Sequence, residues 1–233
     1  MSAFDEVSAA IWRGYGVLDN FQADQHAPDD QGWNSDHVFL GDTMTSERPR
    51  VVVELGVWKG ASTMTMAATL REHGIDGCVV AVDTWLGSSE HWMKDMHRSD
   101  MRFENGYPRM YYTFLANIVA NGFARHVVPL PLDSANAAIV MRKSGVSADV
   151  VHIDGAHDYE STLSDLKRWW EILKPGGVMI VDDYDSRGRI WQTVRRAVDD
   201  FLAVTPHTDF EWRPVKARFR KVEVAGEGPA GAA

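Results

Sequence analysis

The chain has 233 residues, room for one large domain with a sizeable core, and its 45% hydrophobic and 24% charged residues are those of an ordinary globular protein. Lys and Arg total 24 against 33 Asp and Glu, and the net charge of −9 repels nucleic-acid phosphates. No apolar run spans a bilayer, and the opening MSAFDEVSAAIW lacks the basic and apolar regions of a secretory signal, so the expectation is a cytoplasmic protein with no nucleic-acid or membrane partner.

In chain order, a short amphipathic helix is expected first, then a polar, turn-rich stretch over 19–49. Strand-like runs follow at RVVVEL (50–55), CVVAVD (78–83), HVVPLPL (126–132), ADVVHID (148–154) and GVMIVDD (177–183). They are short, rich in valine and isoleucine, and apolar on successive positions, as strands buried on both faces are. The lone Cys78 falls in such a run and is expected to be a buried thiol. Segments of helical spacing alternate with them at 61–73, 109–121, 134–143, 158–173 and 189–203. In ESTLSDLKRWWEIL, residues Leu163, Leu166, Trp170 and Leu173 form one stripe, which leaves Trp169 for another subunit; LKPGG ends that helix. The basic cluster RPVKARFRK (213–221) reads as a strand with one solvated face.

Strand–helix alternation of this kind implies an α/β fold: a doubly wound, mostly parallel, seven-stranded Rossmann-like sheet with helices on both faces and an antiparallel C-terminal edge strand. The expected organisation is a helix and lid or oligomerisation segment over 1–49, a main domain over 50–223, and a disordered tail over 224–233. Within the main domain, residues 84–108 form a long insertion crowded with Trp, Met and His, placed where binding loops and lids occur.

Ligands of such a sheet bind beyond the carboxyl ends of its strands. The strands deliver Glu54, Asp83, Asp133, Asp154, Asp182 and Asp183 there, with His157 beside them. A single acid at a strand end is as readily a helix N-cap as a functional group. Six on one rim repel each other unless a cation or a positively charged ligand is present. The turn after the first strand, ELGVWKG, carries Trp58 where a dinucleotide-binding loop often has glycine. A pyrophosphate suits a close-approaching, amide-rich turn, so an ammonium- and sulfonium-bearing ligand fits this one better.

ELGVWKGAS (54–62), the strand end at Asp83, LDS (132–134) and the KPGG before the fifth strand resemble class I S-adenosylmethionine-dependent methyltransferases. The aromatic at 58 is similar to that of the cation-dependent O-methyltransferases of catechol and macrolide-sugar type, and the resemblance covers about residues 50–205. It implies that Glu54, Gly56, Gly60 and Ser62 hold the methionine end of S-adenosylmethionine, that Asp83 holds the ribose, and that Trp85, Asp133 and Ser134 border the adenine. HIDGAHDY (152–159) and VDDY (181–184) carry the more specific signal. Asp154, Asp182 and Asp183 are three hard oxygen donors, the chemistry Mg²⁺ or another divalent cation selects. In the resembling families a basic residue three positions after the first Asp is the general base, which implies that Asp154 and His157 carry the catalysis. Asp183 is acidic, as in the sugar type, where the catechol type often has Asn. His91 and Trp92 in the insertion, with Tyr184 and Asp185, are the candidate acceptor contacts, whereas His152 reads as a packed core histidine.

The leading expectation is therefore a divalent-cation-dependent O-methyltransferase for a small hydroxylated molecule, a sugar or another natural-product intermediate, assembled as a homo-oligomer. A cation-independent N- or O-methyltransferase keeps the same fold, with the carboxylates binding an amine. A nicotinamide-dependent oxidoreductase is disfavoured by Trp58 and by the absence of a Tyr-x-x-x-Lys pair. A non-catalytic relative would not need the whole set of cofactor residues.

Overall fold

The computed structural model describes residues 1–185 and 192–222. The strands β1 (Val51–Leu55), β2 (Cys78–Val82), β3 (Val127–Leu130), β4 (Ala148–Ile153), β5 (Leu173–Val181), β6 (His207–Arg213) and β7 (Lys216–Lys221) form one sheet in the order β3-β2-β1-β4-β5-β7-β6. The first five are parallel; β7 runs antiparallel between β5 and β6. Strand order reverses between β1 and β4, so the crevice above their carboxyl ends is the place for a ligand.

Both faces of the sheet are covered because its central strands are apolar on both sides. One layer holds α1 (Ala3–Trp12), α7 (Ser134–Lys143), α8 (Tyr159–Ile172) and α9 (Gln192–Val204). The other holds α2 (Val38–Glu47), α3 (Ala61–Glu72) and α6 (Met110–Ala120). Each fully buried Leu, Phe or Met here contributes about 1.5–3 kcal/mol. Cys78 is buried as expected, and burial pushes its thiol up to about 12. None of the described helices is long and apolar enough to cross a membrane.

Three local expectations are corrected. Residues 38–47 are helical, with Phe39, Leu40, Thr43 and Met44 buried, where a turn-rich stretch was expected. Trp169, not Trp170, is the fully buried member of its pair, and its Nε1 donates to Ser134 Oγ at 2.8 Å. Trp170 is half-buried and packs edge-on against Phe201. The basic face of β7 is only partly solvated: Lys216 is buried, Arg218 lies over the Phe39 ring at 4.5 Å and Arg220 pairs with Glu47 at 2.8 Å, the last two beneath α2. The insertion folds into two short helices, α4 (Ser89–Met93) and α5 (Asp95–Arg98). The tail expected to be disordered lies outside the described residues.

Candidate active site

The turn between β1 and α3 is tight and strained. Gly56 has φ +76°, and a Cβ there would stand 2.0 Å from the Asp154 carbonyl oxygen, so only glycine lets the β1 and β4 turns approach this closely. Trp58 has φ +53°, a conformation that disfavours a bulky residue. Asp83 stabilises it: Oδ2 accepts from the Val57 and Trp58 amides at 2.8 and 3.0 Å, and Oδ1 from the Trp85 amide at 2.7 Å. Trp85 is buried behind the turn, its Nε1 donating to the Trp58 carbonyl at 2.8 Å. Burial pushes the Asp83 carboxyl above its ordinary value, against the pull of these amides.

A buried polar chain crosses the sheet beneath this turn. Glu54, fully buried, accepts from Ser62 Oγ at 2.5 Å and from Thr63 Oγ1. His152 Nδ1 lies 3.0 Å from Glu54 Oε1, and its Nε2 lies 3.1 Å from Lys216 Nζ. Lys216 in turn meets Asp182 Oδ2 at 2.8 Å; Lys216 is fully buried and Asp182 only 4% exposed. A lysine ammonium only donates, so Nε2 of His152 is its acceptor and Nδ1–H donates to Glu54. The order is carboxylate, neutral imidazole, ammonium, carboxylate. Burial and then the Lys216 charge hold the His152 pKa low, in keeping with a neutral ring. Burial alone would raise the Asp182 pKa, but Lys216 first, with His152 and the Asp183 amide, together outweigh it and the carboxyl stays below its ordinary value.

Above this chain the acids face the crevice. Asp154, His157 and Asp183 present ligand atoms within 4.8 Å of one another, and so do His152, Asp154 and Asp182. His157 Nε2 lies 3.1 Å from Asp183 Oδ2. Asp183 reaches it from a left-handed backbone, φ +56°. Burial, and then the Asp182 charge, push the Asp154 carboxyl well above the ordinary range. Lys216 is the cation within this group, so negative charge remains in excess.

These residues open on a cavity of about 1130 Å³ that runs along the crevice. Gly56, Ser62, Asp83, Asp133, Ser134, Asp154, His157, Asp182, Asp183 and His91 line it. Glu54, Gly60, Trp85, Trp92, Tyr184 and Asp185 do not. Tyr184 Oη instead donates to Asp199 at 2.8 Å, and Trp92 Nε1 to the Leu86 carbonyl at 2.8 Å. Both oxygens of Asp133 are engaged by Asn136, at 2.9 Å to its amide and 2.6 Å to Nδ2, in the cap of α7.

One mouth of the cavity is aromatic. Trp58 stacks on His91 at 4.4 Å and leans on Trp33 at 5.7 Å, while His97 stands edge-on to Trp33 at 5.7 Å. Trp33 belongs to the N-terminal segment and the two histidines to the insertion. A single lysine pins both segments: Lys59 Nζ meets Asp29 Oδ2 at 2.6 Å and Asp100 Oδ1 at 2.8 Å, with the lysine side chain 3% exposed. Asn117 adds to the clamp, its Nδ2 donating to the carbonyls of Asp29 and Lys59 at 2.7 and 2.8 Å. Trp33, Lys59, His97, Asp165 and Lys216 were not singled out from sequence. Only Lys59 carried a signal there, as a cation next to Trp58 inside the strand-end turn.

Comparison with known proteins gives this architecture its class. Residues 53–184, more than half of the chain, match the model of a family described as a methyltransferase domain, and the chain belongs to that family. It is a methyltransferase, and the relatives it resembles include O-methyltransferases. A curated relative is the 8-demethyl-8-(2,3-dimethoxy-α-L-rhamnosyl)-tetracenomycin-C 4′-O-methyltransferase of Streptomyces olivaceus, 29% identical over 201 residues, 76% of this chain and 70% of the relative. Among solved structures, the O-methyltransferase NovP superposes with a TM-score of 0.58 at 17% identity, covering 94% of this chain and 98% of NovP. TomG of Streptomyces achromogenes, solved with S-adenosylmethionine, gives 0.57 at 16%, covering 95% and 90%. At these identities the structures speak for the fold, with its seven-stranded mixed sheet.

Proposed function

We propose that the enzyme methylates a hydroxyl of a small natural-product molecule, a sugar or an intermediate bearing one, with a divalent cation such as Mg²⁺ held by Asp154, Asp182 and Asp183. The observation that carries this reading is the convergence of Asp154, His157 and Asp183 within 4.8 Å, on the same cavity as the strained β1–α3 turn. The donor set suits a hard cation: three carboxylates, all lining the cavity, with Asp154 pushed up by burial and then by the negative charge of Asp182. When bound, such an ion acts as a Lewis acid that acidifies the acceptor hydroxyl and fixes its oxygen.

The residues of this chain supply the rest. Gly56 and Ser62 would face the methionine end of S-adenosylmethionine and Asp83 its ribose hydroxyls. His157, with Nε2 3.1 Å from Asp183 Oδ2, takes the hydroxyl proton. Asp183 orients the ring. In-line positioning of oxygen and methyl carbon by rigid strand ends contributes up to about 7–11 kcal/mol to such reactions. The aromatic mouth of Trp33, Trp58, His91 and His97 offers flat faces to the ring of an acceptor and shields the reacting atoms from water. The sugar reading draws support from the tetracenomycin relative, whose name places its methylation on a rhamnosyl group.

One observation favours a second reading, a cation-independent methyltransferase. Lys216 already lends Asp182 a positive charge, at 2.8 Å. Turnover of an acceptor with EDTA and then added Mg²⁺ separates the two. Loss and recovery support the metal reading, and unchanged turnover in EDTA transfers the case to the second.

A further inference from the structure

The cavity has a second end, away from Asp182 and Asp183, where the β3–α7 loop meets α8. Asp133 was the acid expected to border the adenine there, but both its oxygens serve the α7 cap. Another carboxylate occupies the wall. Asp165, two turns into α8, lines the cavity together with Ser134, Ser164 and Arg168. Ser134 Oγ donates to Asp165 Oδ1 at 2.5 Å, and Trp169 Nε1 donates to Ser134 Oγ at 2.8 Å, so the buried indole fixes the hydroxyl and the hydroxyl fixes the acid. Asp165 Oδ2 takes no hydrogen bond from the described residues. It stands 3.8 Å from where a Gly155 Cβ would be, and the absence of a side chain at Gly155 leaves it open to the cavity. Burial pushes this carboxyl up to about 6, which still leaves it mainly ionised at neutral pH.

We infer that Asp165 is the residue that reads the adenine of the cofactor, its Oδ2 accepting a hydrogen bond from the exocyclic amine. The inference rests on the cofactor site proposed above, and the layout leads to it. Methyl transfer takes place beside Asp154 and His157, Asp83 marks the ribose at the end of β2, and the base then extends toward the β3–α7 loop. A half-buried, pre-oriented acceptor oxygen at that end matches the one hydrogen-bond donor on the far edge of the adenine. A site built to accept from an amine rejects a carbonyl in the same place, because two acceptor oxygens would then face each other out of water.

The test is binding of S-adenosylhomocysteine and of S-inosylhomocysteine, which replaces the amine by a carbonyl, measured calorimetrically on the full chain. The wild type should prefer the adenosyl compound by about tenfold or more, the difference of one good hydrogen bond at about 1.4 kcal/mol. Asp165→Asn, whose amide donates to the carbonyl, should narrow or invert that preference, and Asp165→Leu should abolish it, with thermal melts confirming that both variants fold. An unchanged preference in Asp165→Asn, or equal binding of the two compounds by the wild type, would overturn the assignment. If the wild type binds neither compound, the failure lies with the cofactor site and takes this inference with it.

Discussion

Two regions of the cavity wall are built differently. At the Asp154–Asp183 end, each group sits at the end of a central strand and is held from below by the Glu54–His152–Lys216–Asp182 chain, all of it buried. At the aromatic mouth, Trp33, His91 and His97 stand on segments outside the sheet, and one lysine with its two aspartates holds them down. The contrast separates two needs. In the proposed mechanism, proton transfer and in-line attack, which tolerate little displacement, would fall on strand ends, a stiff part of the molecule. A proposed acceptor entry would need a wall that can open, and a wall fastened by Lys59 and Asn117 outside the strands could do so without disturbing them.

That division can be attacked from both sides. The largest effect is expected at the rigid end: His157→Ala should lower kcat by about 10²–10⁴-fold. Its affinity for S-adenosylhomocysteine should stay at the wild-type level in calorimetry, and a comparable loss of binding would remove the distinction between base and cofactor site. Next comes Lys216→Met, which leaves Asp182 charged, buried and uncompensated. Breaking a buried pair in this way costs about 3–5 kcal/mol, to be read from urea denaturation. A change below about 1 kcal/mol would mean that the ammonium is not the partner that holds Asp182.

At the mouth the effects should be smaller and local. Lys59→Met removes charge-assisted hydrogen bonds worth about 1.5–3 kcal/mol to the closed arrangement. Hydrogen exchange should accelerate around Asp29 and Asp100 while β1 and β4 keep their protection; uniform acceleration would show that the clamp belongs to the core after all. The smallest change in stability is expected for Trp58→Gly. Relief of a left-handed backbone, about 1–2 kcal/mol, is offset by lost stacking worth about 0.5–1.5 kcal/mol. The acceptor KM should nevertheless rise, and an unaltered KM would argue that the aromatic mouth does not touch the acceptor.

The sheet was legible because its strands are apolar on both faces and end in acids, a local pattern. The carboxylates of the crevice were legible for the same reason, as was His157 through its spacing from Asp154. What escaped is non-local. Lys216 looks like one more cation in a basic strand, and its burial follows from the register that sets Ala217 opposite Val181 and brings β7 beside β5. Arg218 and Arg220 seemed solvated because the helix that covers them, Val38–Glu47, has only a weak apolar stripe. Asp165 lies on the polar flank of α8, and nothing in its spacing tells that this flank borders a cavity. The Trp169–Trp170 exchange is a matter of rotation by one helical position, about 100°, which a stripe counted from Leu163 does not resolve.

The position of β7 also has a consequence for the order in which the enzyme becomes whole. The five parallel strands and every acid of the crevice precede residue 184, whereas Lys216 arrives with the hairpin that must slot in beside β5. A nascent chain emerging from the ribosome holds the complete acidic rim before it holds the ammonium that neutralises part of it. Asp182 therefore gains its buried partner only when the hairpin docks beside β5, after every acid of the rim has been synthesised.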